Sequence, residues 1–385
     1  MMPAVPVRSV QSRLEIHHDL GSAEPAWRRL EAQPDTVLTP YQRFDFLAAW
    51  QRHVGRRNGI EPLIAIGIDA AGEPVCLLPL GLRQIAATRQ AEFLGGKHAN
   101  FNMAIWRRDD GANATAAEIE ALLAPLGDVA DALILLNQPE SWGGLRNPLL
   151  LLPHSVSADP AYKGALMADF EALLAARMST GKRKKLRNRE RALAQHGPVT
   201  FRRAETAEDA QRILAAFHHQ KAQRMRELGV GNVFAEPGVA EFIAEAATPA
   251  PGRAPVIELY ALATHDEIVA TSAGVVAGGR FSTMFNSITR TAAAQASPGQ
   301  ILLNRLVQGI CARGLHTFDL GVGEAQYKEI FCNDPEPMFD SFLPLSPAGR
   351  MIAAANRAAY AAKRAIKRTP AIWSTVQAAR RWRTG

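Results

Sequence analysis

The sequence predicts an α/β (α+β) protein of two like domains followed by a basic helical tail. Three observations carry this. The chain has 385 residues, long for one core and comfortable for two. The order strand, two helices, three strands, helix, strand occurs twice. A stretch rich in Gly, Pro and Ser, residues 141–167, separates the two passes. The boundaries read from these signals are 10–165, 166–348 and a tail at 349–385.

In the first pass, residues 14–18 form a short strand, and AEPAWRRLEA and PYQRFDFLAAWQRHVG form helices. EPLIAIGID and EPVCLLPLGLRQI bracket a turn at Ala71–Gly72 and read as a hairpin. AEFLGGKHANFNMAIW reads as a further strand interrupted by glycine, followed by a helix at 114–126 and the strand ADALILLNQ. In the second pass a helix starts near Asp169 and runs into GKRKKLRNRERALAQHG. VTFRRAET is a strand, and 207–229 and 236–247 are helices. Residues 256–288 make three strands, turned at His265–Asp266 and Gly278–Gly279. EPMFDSFLPL closes this domain.

Between those strands and the close lies SPGQILLNRLVQGICARGLHTFDLGVGEAQYKEIF, residues 297–331. Pro298 suits the first turn of a helix, Ser297 its N-cap, and Gly314 its C-cap. Ser297, Gly299, Gln300 and Ile301 are either a plain helix start or a site where free amides receive a diphosphate. Asp319 stands in an apolar strand, where an acid is either a structural carboxylate, paired for instance with Lys328, or a working base. Glu324 on the glycine bend is either a surface acid or within reach of an acceptor nucleophile. Asn286, beside the 297–301 turn, is either an edge-strand polar group or a binding group for a donor chain. The His218–His219 pair on the 207–229 helix is either surface, core or a base.

The net charge of +7 belongs largely to the tail: residues 341–385 hold nine Lys or Arg and no acid, which leaves 35 basic against 37 acidic residues elsewhere. The basic balance is therefore no argument for DNA binding by the body. Lys182–Arg191 is a local exception, with seven basic residues and one Glu. It is either a solvated helix or a surface for a polyanion. The tail, with Trp373 and Trp382, is either a plain basic extension or an amphipathic helix for an anionic membrane. Three dispersed cysteines exclude a disulfide scaffold and show no metal-ligand spacing. No secretory h-region or spanning apolar run occurs, so a cytoplasmic location is expected, with the inner membrane face open to the tail.

SPGQILLNRLV (297–307), TFDLGVGEAQYKEIF (317–331) and KRKKLRNRERALAQHGPVTF (182–201), within this element order, resemble the GNAT acyltransferase superfamily. More narrowly, the chain resembles the bacterial tandem-GNAT group linked to cellulose or exopolysaccharide biosynthesis, and the related Fem-type transferases that build peptidoglycan bridges. The resemblance implies two tandem GNAT-like domains, each a mixed, mostly antiparallel sheet flanked by helices, with the donor site in the second domain and none in the first. It implies transfer from acetyl-CoA or another acyl-CoA to an amine or hydroxyl of a sugar, glycan or cell-envelope acceptor. Asp319, Glu324, Tyr327 and Lys328 would be catalytic; Asn286, Ser297, Gly299, Gln300 and Ile301 would bind the donor. The usual Gln/Arg-x-x-Gly-x-Gly/Ala loop is replaced here by AQASPGQILL. Two alternatives follow: an aminoacyl-tRNA donor, or a non-catalytic exopolysaccharide-assembly protein with a degenerate site.

Overall fold

The computed structural model describes residues 13–158, 161–250, 252–265, 267–322 and 330–368. Glu324, expected on the glycine bend, Tyr327 and Lys328, expected to begin a short helix after it, and Trp373 and Trp382 lie outside these residues. The chain forms two compact units. The first comprises residues 1–51, 55–158 and 337–364; the second comprises 52–54, 159–336 and 365–385.

In chain order the first unit begins with β1 (Arg13–His17), α1 (Leu20–Glu31), β2 (Thr36–Val37), α2 (Phe44–Trp50) and β3 (Glu61–Ile68). It continues with β4 (Pro74–Ile85), β5 (Thr88–Phe93), β6 (Ile105–Arg107), α3 (Arg108–Asn113), α4 (Ala116–Leu123) and β7 (Ala132–Pro139). Three short strands end this run: β8 (Ser141–Trp142), β9 (Leu145–Arg146) and β10 (Ser155–Val156). The second unit holds β11 (Ala161–Ala165), α5 (Phe170–Arg177), α6 (Thr180–Ala194), β12 (Val199–Arg203), α7 (Ala207–Leu228) and α8 (Val239–Ala247). It also holds β13 (Ile257–Thr264), β14 (Glu267–Ala277), β15 (Arg280–Ile288), α9 (Pro298–Ala312), β16 (Thr317–Val322) and β17 (Asp334–Glu336). β18 (Met338–Pro344) and the start of α10 (Pro347–Arg368) return to the first unit.

The two sheets follow one plan. The first has the order β1-β3-β4-β5-β7-β18-β10, with β2 and β6 off the path; the second has β12-β13-β14-β15-β16-β11-β17. Neighbours are antiparallel except at the fourth step, where β5 runs parallel to β7 and β15 parallel to β16. Each is thus the mixed, mostly antiparallel sheet expected.

The sixth place in each sheet corrects the expected boundaries. Residues 336–345 were expected to close the second domain, yet β18 pairs antiparallel with β7 of the first sheet. Residues 161–165 were expected in the first domain, yet β11 lies between β16 and β17 of the second. Pro337 marks the crossing. Having no N–H, it cannot continue the ladder of β17, and its carbonyl accepts from the Glu140 amide at 3.0 Å.

Local chemistry accounts for the helices that frame the second sheet. The Ser179 hydroxyl caps α6 by accepting from the Lys182 amide at 3.3 Å. Thr206 caps α7 in the same way, and Gly229, at φ +61°, ends it in a left-handed turn. Leu186 and Leu193 of α6 join Leu302, Leu306, Val307 and Ile310 of α9 and Phe281, Phe318 and Leu320 of the sheet in one buried cluster. The exposed side of α6 carries Lys182, Lys184, Lys185, Arg187 and Arg191. The tail helix α10 lays Ile352, Ala353 and Tyr360 on Ile134 and Phe342, while Met351 is 78% exposed. Among the described residues no helix is long and apolar enough to cross a membrane.

Candidate active site

The parallel step of the second sheet creates the site. β15 and β16 pair only at Arg280–Thr317, Phe281–Phe318 and Ser282–Asp319. Beyond them β15 runs on to Ile288 and β16 to Val322, so the two strands part into a V. A bulge in β15 accompanies the parting: Gly274 faces Thr283, but Ala273 faces Phe285, leaving Met284 extra. Side chains alternate along a strand, so one extra residue swaps their faces. Phe285 and Ser287 therefore turn to α7, where they meet Phe217 and Gln220. Asn286 comes to the α9 side.

A cavity of about 410 Å³ fills the V. Thr283, Asn286 and Ile288 line one arm, Leu320 the other, Leu302, Leu303 and Asn304 the α9 wall, and Met178 and Leu186 the α6 side. Ser297, Gly299 and Gln300 stand at its α9 end. Ser297 occupies the N-cap position as expected, but not in the expected way. Its backbone is left-handed, at φ 56° and ψ 54°, and its hydroxyl caps nothing. A non-glycine residue in that region stores strain. The first amides of α9 thus lack the side-chain acceptor that α6 and α7 possess. A Cβ at Gly299 would lie 2.5 Å from Ile288 Cδ1, so any larger residue there would push the Ile288 side chain aside.

Asn286, Ser297, Gly299 and Gln300 are therefore brought together on one cavity. Ile301 is not: its side chain is fully buried in the core. Asp319 also lies elsewhere. It is 0% exposed, on the face of β16 opposite Leu320. Its Oδ2 accepts from Arg280 Nε at 2.7 Å and from the Ser282 hydroxyl at 2.5 Å, and its Oδ1 from the Gly321 amide at 2.9 Å. Arg280 also binds Glu336 through two bonds of 2.8 and 2.6 Å, and Lys163 Nζ lies 3.3 Å from the same carboxylate. This network joins β15, β16, β17 and β11. Burial raises the Asp319 carboxyl above its ordinary range, against the pull of Arg280, Ser282 and Gly321. Asp319 is held as a structural carboxylate at the vertex of the V, with Arg280 as its described partner; Lys328, expected beside it, lies outside the described residues. His218 is half-buried against Phe217, and its imidazole is pushed down by desolvation. His219 borders a separate groove between α7 and β14–β15.

The residue that the sequence reading missed is Asn304. It is 8% exposed on an otherwise apolar face of α9, and its Oδ1 has no hydrogen-bond partner among the described residues. A buried acceptor left unpaired costs about 1–3 kcal/mol. Its position was a usable signal, since Asn304 falls three residues after Ile301 and three before Val307, on the buried stripe.

Residues 180–329 match the family described as acetyltransferase (GNAT) domain. That domain makes the protein an enzyme of the acyltransferase class. No curated protein sequence matches the chain. Among solved structures, FemX superposes with a TM-score of 0.55 at 10% identity, covering 88% of this chain and 100% of its own. A conserved protein of unknown function from Bacteroides thetaiotaomicron gives 0.51 at 11%, covering 86% of this chain and all of its own. The C-terminal domain of a putative lysylphosphatidylglycerol synthetase from Agrobacterium fabrum gives 0.50 at 10%, covering 88% and 96%. Identities this low speak for the fold alone, which is the tandem GNAT-like arrangement expected.

Proposed function

We propose that the protein transfers an acyl group from acetyl-CoA or another acyl-CoA to an amine or hydroxyl of a sugar or cell-envelope acceptor, in cellulose or exopolysaccharide biosynthesis. The observation that carries the reading is the V between β15 and β16, with the uncapped start of α9 at one end. The residues present fit such a donor. The Gly299 amide, at a helix start with no side-chain cap, suits a phosphate oxygen, and Asn304 Oδ1 offers an acceptor for an amide N–H. Leu302, Leu303 and Leu320 supply apolar walls for a thin chain.

When bound, the donor supplies an activated thioester carbonyl. Beyond Ser282, where β15 has parted from β16, backbone amides of β15 would hold the oxyanion. Asn286 orients the donor chain from the same arm. Since Asp319 is enclosed, Glu324 takes the nucleophile's proton, and Tyr327 or Lys328 assists departure of the thiolate. The basic helix α10, with Met351 exposed, supports contact with the inner face of a membrane. The test is purified protein with radiolabelled acetyl-CoA and cell-envelope precursors. Label transfer supports the reading, whereas absence of both CoA binding and transfer refutes it.

One observation favours a second reading, aminoacyl-tRNA as donor: the basic run of α6 beside α9. A gel shift with charged tRNA, repeated across salt concentrations, separates the two.

A further inference from the structure

The basic run on α6 is not a uniform solvated face. Lys184 and Lys185 point outward and are exposed, while Arg183 and Arg189 are partly buried. The Arg183 Nε is buried and finds no acceptor among the described residues. Leu186 follows one turn later on the same helix face and lines the cavity. Arg189 donates to the Gln300 side-chain oxygen in the first turn of α9, and Gln300 also lines the cavity. The single acid of the run is engaged elsewhere, with Glu190 bonded to Arg305 at 3.2 Å. Arg189 thus reaches the cavity's α9 end, held there by a neutral oxygen, while Arg183 stands on the Leu186 face of α6 with its Nε lacking a partner among the described residues. An independent observation inside the cavity also points to a ligand: Asn304, nine-tenths buried, presents an unpaired acceptor oxygen.

We propose that Arg183 and Arg189 form, with the open first turn of α9, a clamp for the donor's diphosphate. The inference rests on reading this cavity as the donor site and says which groups recognise the donor. The start of α9 offers the Gly299 amide but no charge; α6 supplies the charge from outside the turn. Guanidinium forks match phosphate oxygens in pairs, and exchanging the neutral oxygen of Gln300 for an anionic one strengthens the bond of Arg189. Asn304, an acceptor, suits an amide N–H further along the ligand rather than a phosphate. A diphosphate followed by an amide-bearing arm describes coenzyme A. A nucleotide sugar presents the same diphosphate and is the other source.

The experiment is calorimetric titration of the full chain with coenzyme A, UDP and inorganic pyrophosphate, each at two salt concentrations. The variants are Arg183→Gln, Arg189→Gln, Arg183→Lys and, as a charge control, Lys184→Gln with Lys185→Gln. The clamp predicts that Arg183→Gln and Arg189→Gln each weaken coenzyme A by about tenfold or more, as expected for one charged hydrogen bond. Arg183→Lys recovers part of that loss, and the control pair changes affinity less than about twofold. Coenzyme A affinity that is unchanged in both arginine variants, or equally weakened in the control, overturns the clamp while the acyl-CoA reading stands. Arginine-dependent binding of pyrophosphate and UDP without coenzyme A upholds the clamp and overturns the acyl-CoA donor. Failure of the wild-type protein to bind any of the three overturns both.

Discussion

The two parallel strand steps share a geometry but differ in what lies beyond them. In the first unit β5 and β7 pair only at Gln90–Ala132 and Ala91–Leu133 before they part. The segment 99–104, between β5 and β6, enters there and stays. The Asn102 amide donates to Asn137 O at 2.9 Å, and its side-chain nitrogen to Leu136 O at 3.1 Å. Thr39 and Gln42 bond to the same segment, and Phe101 and Met103 are fully buried. The following helix is closed as well: in α4 the Thr115 hydroxyl accepts from the Glu118 amide while the Glu118 carboxylate accepts from the Thr115 amide. In the second unit the V holds a cavity and the helix start is uncapped. One plan gives a wedge where its own chain fills the step, and a cavity where, among the described residues, it does not. The proposal that only the second unit receives a donor follows from this contrast.

Four changes break or sharpen that contrast. Ending the chain after Glu336 removes β18, which lies between β7 and β10. The first unit should lose its cooperative transition altogether, a loss of about 5 kcal/mol or more, read by calorimetry against the full chain. Retention of two transitions would show that β18 is dispensable. Phe101→Ala should cost about 3–5 kcal/mol, because the wedge cannot collapse onto the void. Denaturant titration measures this, and coenzyme A affinity should be unchanged. A loss below about 1 kcal/mol would mean that segment 99–104 is not the packing element described. Arg280→Ala leaves Asp319 and Glu336 buried and uncompensated, at a cost of about 3–5 kcal/mol. At temperatures where the variant stays folded its turnover should approach wild type, since the network reaches no cavity wall. Asn304→Leu has the smallest effect on stability and the opposite sign: removing an unpaired acceptor should stabilise by about 1 kcal/mol while weakening coenzyme A about tenfold. A stabilised variant with unchanged affinity would remove Asn304 from the site.

Much of this frame is written locally. Pro298 and Gly314 bracket α9, Gly278–Gly279 turns β14 into β15, and the apolar runs of 256–288 are three strands because short-range chemistry decides each. AEFLGGKHANFNMAIW reads as one strand interrupted by glycine, whereas β5 ends at Phe93 and the wedge of 99–104 separates it from β6. What the sequence conceals is non-local. Arg280 follows the Gly278–Gly279 turn and looks like part of it, yet it neutralises Asp319, 39 residues away. The apolar alternation that marks β18 as a strand carries no mark of its partner, so its transfer to the first sheet was unreadable. The bulge at Met284 is equally silent, and it decides whether Asn286 faces the cavity. Among the site residues, those on the α9 turn were legible as a helix start, whereas Asn304 was hidden among the apolar residues of α9.

The crossing at Pro337 has a consequence for how the protein is made. A nascent chain leaves the ribosome from its N-terminus, yet the first sheet lacks its sixth strand until residue 344 has emerged. By then all of 159–336 is already outside. The second unit can therefore complete its sheet during synthesis, while the first waits with the edge of β7 uncovered. The part of the protein translated first therefore waits for nearly the whole of 159–336 before its sheet can close, and its uncovered strand edge is what a chaperone would have to shield in the interval.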